Sequence, residues 1–161
     1  MFRKILVAVD GSHHARKAAD TAVALANGMK AEVLGLVHVR PDQETWSRAY
    51  GYEVTAYLEM YADILESVAR SARQLLEEEA ERARSALKET RVEIHDEAGS
   101  VVPTIVDVIR RENYELLVMG SRGMGRAAGL LLGSVSQALL ARLPCSVLVV
   151  KSEGEETPSG A

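Results

Sequence analysis

The chain is poor in cysteine, in long apolar runs and in surplus positive charge, and each shortage removes a class of protein. Among 161 residues there is one cysteine, Cys145. No internal disulfide is possible, and the surrounding "PCSVLVV" reads as a buried strand in which Cys145 is a small core hydrophobe. No apolar run approaches the ~18 residues that a membrane span needs. At the N-terminus the apolar stretch from Ile5 to Val9 is ended by Asp10, too soon for the h-region of a signal peptide, so a cytoplasmic protein is expected. Acids number 23 and bases 19, for a net charge of -4. Three of the acids, Glu153, Glu155 and Glu156, lie in the base-free tail "SEGEETPSGA", which leaves 20 acids against 19 bases in the body. A nucleic-acid binder would carry a basic surplus or stripe. The tail, residues 152–161, reads as disordered, and residues 1–151 fit one domain of the usual size.

What is present is an alternation of short apolar runs and helical periods. "KILVAV" is a strand buried on both faces, and the "DGS" after it supplies turn and N-cap chemistry. From Ser12 onward Ala15, Ala18, Ala19, Ala22, Leu25 and Ala26 recur at helical spacing, and Asn27-Gly28 predicts the end of that helix. "AEVLGLVHV" is a second buried strand, stopped by Arg40-Pro41. Asp42 to Thr55 is polar with weak periodicity and reads as a loop or lid. Tyr57, Tyr61, Ile64, Val68, Leu75, Ala83 and Leu87 then mark one face of a long amphipathic helix over Ala56 to Glu89. "RVEIHDEAG" alternates as a third strand, and "VPTIVDVIRREN" is a third helix with Pro103 in its first turn. "YELLVMG" is strand four, Ser134 to Arg142 helix four, and "CSVLVVK" strand five. The order βαβαβαβαβ implies an α/β fold with an open parallel sheet and helices on both faces. Ligands of such sheets sit beyond the carboxyl ends of the strands, which puts Asp10, Val39 and Gly120 on the functional rim.

After strand four comes "GSRGMGRAAGLLLGS", five glycines in fifteen positions from Gly120 to Ser134. Glycine loses more backbone entropy on folding than any other residue, so the cluster needs a cause. A P-loop, G-x-x-x-x-G-K-[ST], nearly fits from Gly120, but Arg126 replaces its lysine and Ala127 its Mg²⁺-binding hydroxyl. A dinucleotide fingerprint fits Gly123, Gly125 and Ala128, yet it follows the fourth strand rather than the first. About 20 residues on, at Leu143-Pro144-Cys145, there is no acid for a ribose. The remaining pattern is Gly120, two residues, Gly123, nine residues, Gly133-Ser134.

That spacing, between strand four and helix four, resembles the nucleotide-binding signature of the ATP-binding subgroup of universal stress proteins. The resemblance extends from "KILVAVDGS" through "VHV" and "VMGSRG" to "LLLGSVSQALLARLPCSVLVV". It implies a five-stranded sheet in order 3-2-1-4-5 and a homodimer joined through strand five. It also implies that Ala8, Val9 and Asp10 border the adenosine, with Asp10 toward the ribose hydroxyls, and that Val39 offers backbone groups to the adenine edge. Met119, Gly120, Arg122 and Gly123 would wrap ribose and phosphates, with Gly133, Ser134, Val135 and Ser136 at the phosphate end. Arg126 falls at a variable position. The cofactor implied is ATP, with Mg²⁺ held through its phosphates. Independently of the family, a helix starting near Ser134 turns free N–H groups and its positive dipole end toward the loop.

Plainer roles stand beside these. Ser134 with Gln137 fits a capping box, and Asp10 suits the turn after strand one. His13 and His14 lack a third ligand at a metal-site spacing, and His38 within strand two is read as a satisfied buried histidine. Trp46, Tyr50 and Tyr52 pack on the long helix or cover a ligand. No residue has the setting of a general base with a positioned water, so hydrolysis would be slow at most. The expected function is nucleotide-dependent regulation of a stress response, through a protein partner the sequence does not name. The alternatives are a nucleotide-free dimeric scaffold of the same family, a receiver-type phosphoacceptor domain using Asp10, Asp96 and Lys151, and an ATP pyrophosphatase. The last would need an S-G-G-x-D loop where the chain has "DGSHHA".

Overall fold

The computed structural model describes residues 1–42, 44–45, 48, 58–122 and 132–151. Gly123 and Arg126, the aromatics Trp46, Tyr50 and Tyr52, and the tail lie outside the described residues. The strands are β1 (Lys4–Ala8), β2 (Val33–Arg40), β3 (Arg91–Ala98), β4 (Leu116–Gly120) and β5 (Ser146–Val150). The helices are α1 (His13–Met29), α2 (Leu58–Ala86), α3 (Val101–Glu112) and α4 (Ser134–Leu140). All five strands are parallel, in the order β3-β2-β1-β4-β5, as the resemblance implied. No helix among the described residues is long and apolar enough to cross a membrane.

The order of strands dictates the layers. From β1 to β2 to β3 the chain moves in one direction, then jumps back across two strands to β4 and on to β5. With right-handed crossovers, α1 and α2 must cover one face and α3 and α4 the other. The period-2 alternation of side chains supplies a separate core to each face. Ile5, Val7, Leu34, Leu36 and Val118 pack with the alanine stripe of α1 and with Leu76, Ala80 and Ala83 of α2. Leu6, Val33, Val37, Leu117 and Met119 pack with Ile105, Val108 and Ile109 of α3 and Leu139 of α4. Small side chains on α1 let it lie close to the sheet, close enough that a Cβ on Gly120 would come within 2.8 Å of His14 Cβ.

At the edge, Tyr114 fills the space above Gly35, where a Cβ would lie 2.2 Å from the phenol oxygen. The phenol donates to Glu93 at 3.1 Å and meets His95 Nε2 at 2.8 Å. Because the phenol proton goes to Glu93, the histidine carries the proton of the second bond. Burial pushes the Tyr114 phenol up and the His95 imidazole down from their ordinary values.

Several boundaries differ from expectation, each for a local reason. Helix α1 continues through Asn27 and Gly28, and Lys30 takes the left-handed cap at φ 53. Asn27 Nδ2 donates to the Ala86 carbonyl at 2.9 Å, so this asparagine ties two helix ends together instead of ending one. The apolar period predicts one buried face along helix α2, but among the residues whose burial is described the first buried one is Ala72, and Ile64 and Val68 are exposed. A 29-residue helix outruns the strands it covers, so its first turns reach past their carboxyl ends. The expected 42–55 loop contains helical residues at Glu44, Thr45 and Arg48, with Asp42 Oδ1 accepting from Thr45 N at 2.8 Å. Helix α4 ends at Leu140 rather than Arg142. Cys145 is half-buried against the α3 and α4 core, and burial raises its thiol pKa.

Candidate functional site

The chain leaves β1 toward α1 on one face and β4 toward α4 on the other. The carboxyl ends of these adjacent strands therefore open a crevice at the switch point of the sheet, the place where open α/β folds take ligands. A cavity of about 720 Å³ occupies it, within the usual range for a small-molecule site. Eleven of the twelve expected site residues line this cavity, and the twelfth, Gly123, is outside the described residues.

Ala8, Val9 and Asp10 arrive from the end of β1. Asp10 Oδ1 accepts from Ser12 N at 2.9 Å while Gly11 turns at φ 82, and Ser12 Oγ accepts from Ala15 N at 3.1 Å as the cap of α1. One carboxylate oxygen thus shapes the turn, which leaves the other for the cavity. Val9 has both backbone groups occupied: its N–H donates to Val37 O at 2.9 Å, and its carbonyl accepts from His38 Nδ1 at 2.7 Å.

Val39 is differently placed. Val37 turns its carbonyl toward β1, whereas Arg40 O accepts from Gly99 N on the β3 side. Parallel strands alternate in this way, so the Val39 N–H and C=O point toward β1, which has already ended at Ala8. Its two backbone groups face the crevice as an adjacent donor and acceptor.

Met119 and Gly120 close β4, and Arg122 follows them at the cavity wall. The glycine at 120 has a packing cause, since its missing side chain makes room for His14 of α1. Ser121 O accepts from Gly133 N at 2.8 Å, which joins the two ends of the glycine-rich segment. Gly133, not Ser134, is the N-cap of α4, with no side-chain cap bond. The Ser134–Gln137 capping box is therefore not made; Gln137 N donates to Gly133 O and the Gln137 amide to Leu132 O. Ser136 is buried and its hydroxyl donates to Gly120 O at 3.2 Å or Ser121 O at 3.4 Å. Toward a ligand it offers its backbone rather than a hydroxyl proton. Val135 is exposed at the rim.

The cavity also takes residues that motif reasoning passed over, among them His38, Arg40, Val68 and Val101. The signal for Arg40 was its place directly after Val39. For Val68 no local pattern exists, because its presence depends on how far α2 overshoots the sheet. A second hollow lies between α1 and α2, but its floor residues Val7, Leu34 and Leu36 are sealed. Its rim is bound up by Glu79, which pairs with Arg16 at 2.8 Å and Arg82 at 2.6 Å. Among the described residues no group of three or more potential metal ligands occurs. The sheet order also disposes of the receiver-type alternative, whose order is 2-1-3-4-5. Here β3 is an edge strand two places from β1, and Asp96 is engaged by Arg40 and Arg73.

Fold and crevice together define an open, parallel α/β protein with a cavity at its β1/β4 switch point. The chain belongs to the universal stress protein family, whose model matches residues 1–151. It is 32% identical over 151 residues to the universal stress protein YxiE of Bacillus subtilis, covering 94% of this chain and 100% of that one. A Thermus aquaticus universal stress protein is 36% identical over 156 residues, with 94% and 100% covered. Among solved structures, universal stress protein UspA from Lactobacillus plantarum superposes with a TM-score of 0.80 at 23% identity, covering 92% of this chain and 97% of that one. A universal stress protein in complex with cAMP gives 0.60 at 24% identity (93% and 97% covered). The Arabidopsis thaliana family member At3g01520, with AMP bound, gives 0.62 at 20% identity (97% and 96% covered).

Proposed function

We propose that this chain is an adenine-nucleotide-binding regulator, with ATP as its ligand and Mg²⁺ carried on the phosphates. The observation that carries the reading is convergence: the ends of β1, β2 and β4 and the first turn of α4 meet at one cavity, each with a different kind of group. Val39 supplies an adjacent backbone donor and acceptor suited to a purine edge, and Asp10 a carboxylate oxygen suited to ribose hydroxyls. Arg122 and the α4 start supply the positive side for phosphates. The nucleotides held by the cAMP-bound and AMP-bound relatives favour the same ligand class. Occupancy rather than turnover is read as the signal, with any hydrolysis slow.

Pairing of β5 with a second copy accounts for its half-exposed valines, and the resulting homodimer is the unit whose partners would sense nucleotide. The test is to identify nucleotide in the denatured extract of the purified protein, then to titrate ATP, ADP, AMP and cAMP with and without Mg²⁺ by calorimetry. Binding at micromolar to sub-millimolar concentration is expected, and Gly123→Val should abolish it with the fold intact. No affinity at millimolar concentration for any of the four would leave the nucleotide-free scaffold as the correct reading.

A further inference from the structure

We infer that Arg40 binds the base half of the nucleotide, its guanidinium plane against the purine, and that Asp96 is its positioning residue. The inference rests on the nucleotide reading above.

Side chains of β2 alternate between the two faces. Leu34 and Leu36 pack into the α1/α2 core, and Val33 and Val37 into the α3/α4 core. The same alternation puts His38 and Arg40 on the α1/α2 side of the strand end, both lining the cavity. A purine whose edge meets the Val39 backbone groups has these two side chains beside its face. His38 is already engaged, since a ring nitrogen 2.7 Å from the Val9 carbonyl must donate to it. Arg40 is available: it holds Asp96 Oδ1 through Nε alone at 3.3 Å, and its two terminal nitrogens make no hydrogen bond to a described residue. Its side chain keeps 27% of its surface open.

Asp96 is a fixed anchor, because its other oxygen pairs with Arg73 of α2 at 3.4 Å. A guanidinium held by one edge presents its flat face, the geometry in which arginine stacks on an aromatic ring and lysine does not.

The position predicts dependence on the base and not on the phosphate. Affinity of the full-length protein for AMP and for adenosine is measured by calorimetry in wild type, Arg40→Gln, Arg40→Lys, Asp96→Asn and Arg73→Gln, with urea unfolding as the control for folding. Arg40→Gln should weaken AMP and adenosine by the same factor, about fivefold or more. Arg40→Lys should recover little of the loss, and Asp96→Asn should weaken both ligands in the same ratio. Arg73→Gln, which loosens the Asp96 anchor without removing it, should weaken both ligands in the same ratio and by less than Asp96→Asn. A loss confined to AMP would place Arg40 at the phosphates, and unchanged affinity for both ligands would make it merely structural; either overturns the inference while the nucleotide reading stands. If Asp96→Asn changes neither affinity while Arg40→Gln does, the positioning role is wrong. Failure of the wild type to bind AMP, adenosine or ATP refutes the nucleotide reading and this inference with it.

Discussion

Replacing Gly120 by alanine separates two reasons for a glycine at the end of β4, packing and ligand approach. A Cβ there would lie 2.8 Å from His14 Cβ, 2.9 Å from its carbonyl carbon and 3.0 Å from its carbonyl oxygen. Two of these atoms are helix backbone and cannot rotate away. Nor can the strand retreat easily, because Gly120 is paired with Val150 of β5 and its carbonyl receives Ser136. Overpacking of this kind costs about 1–3 kcal/mol, and rigid backbone on both sides points to the upper half of that range. For a domain of this length each kcal/mol lowers Tm by about 2–4 °C. The nucleotide-free Gly120→Ala variant should therefore melt about 4–12 °C below wild type and unfold at lower urea by far-ultraviolet circular dichroism. AMP affinity should fall as well, since α1 and the end of β4 both border the cavity. Nucleotide-free stability within 0.5 kcal/mol of wild type would refute the packing argument, and loss of AMP affinity alone would show that the glycine makes room for ligand.

Three further outcomes are expected. Gly35→Ala drives a Cβ into the buried Tyr114 phenol and should cost about 2–3 kcal/mol in urea unfolding; a combined Gly35→Ala, Tyr114→Phe variant should be less destabilised than the sum of its parts, and strict additivity would mean the ring simply moves. Ser136→Ala removes a buried hydroxyl shared by two carbonyls and should cost about 1 kcal/mol, with AMP affinity changed less than threefold once folding is corrected for; a tenfold loss would show the hydroxyl contacts ligand. His95 has a folded pKa held below its ordinary 6.5 by burial, so the unfolded chain binds its proton first. Stability is complete above about pH 6.5 and is lost as pH falls toward the folded value; His95→Gln should flatten that slope in urea titrations between pH 7 and 5, and an unchanged slope would assign it to other groups.

The layered fold was legible because its signals are local. "KILVAV" and "AEVLGLVHV" are apolar without alternation, as strands covered on both faces must be, and the alanine period of α1 announces close packing on a sheet. The Asp10 turn and Ser12 cap were readable from three letters, "DGS". The capping box at Ser134 was a false local signal: Gly133 N–H is drawn to Ser121 O, which starts the helix one residue earlier than side-chain chemistry suggests. Gly120 stands out in the sequence as a glycine for ligand approach, but its packing partner His14 is more than a hundred residues away and no spacing rule reaches it. Val68 escaped for the same reason, since a cavity wall supplied by an overshooting α2 leaves no motif behind, whereas Arg40 was within reach of the sequence through its place directly after Val39.

The two margins of the sheet are chemically unlike. Along β3 the outermost strand is dressed with ion pairs, Arg91 with Glu93, Glu97 with Arg111, and Asp96 with two arginines, while β5 ends in a bare run of valine and leucine. An endless sheet would need the β5 margin of one molecule to accept the β3 margin of the next, and the charges on β3 would then have to be stripped of water without new partners. Like margins can still meet, and in the proposed homodimer a β5-to-β5 contact would use up the uncharged margin of both molecules. Growth by edge addition would then stop at a pair, and the charges along β3 guard the other flank against polymerising into fibres.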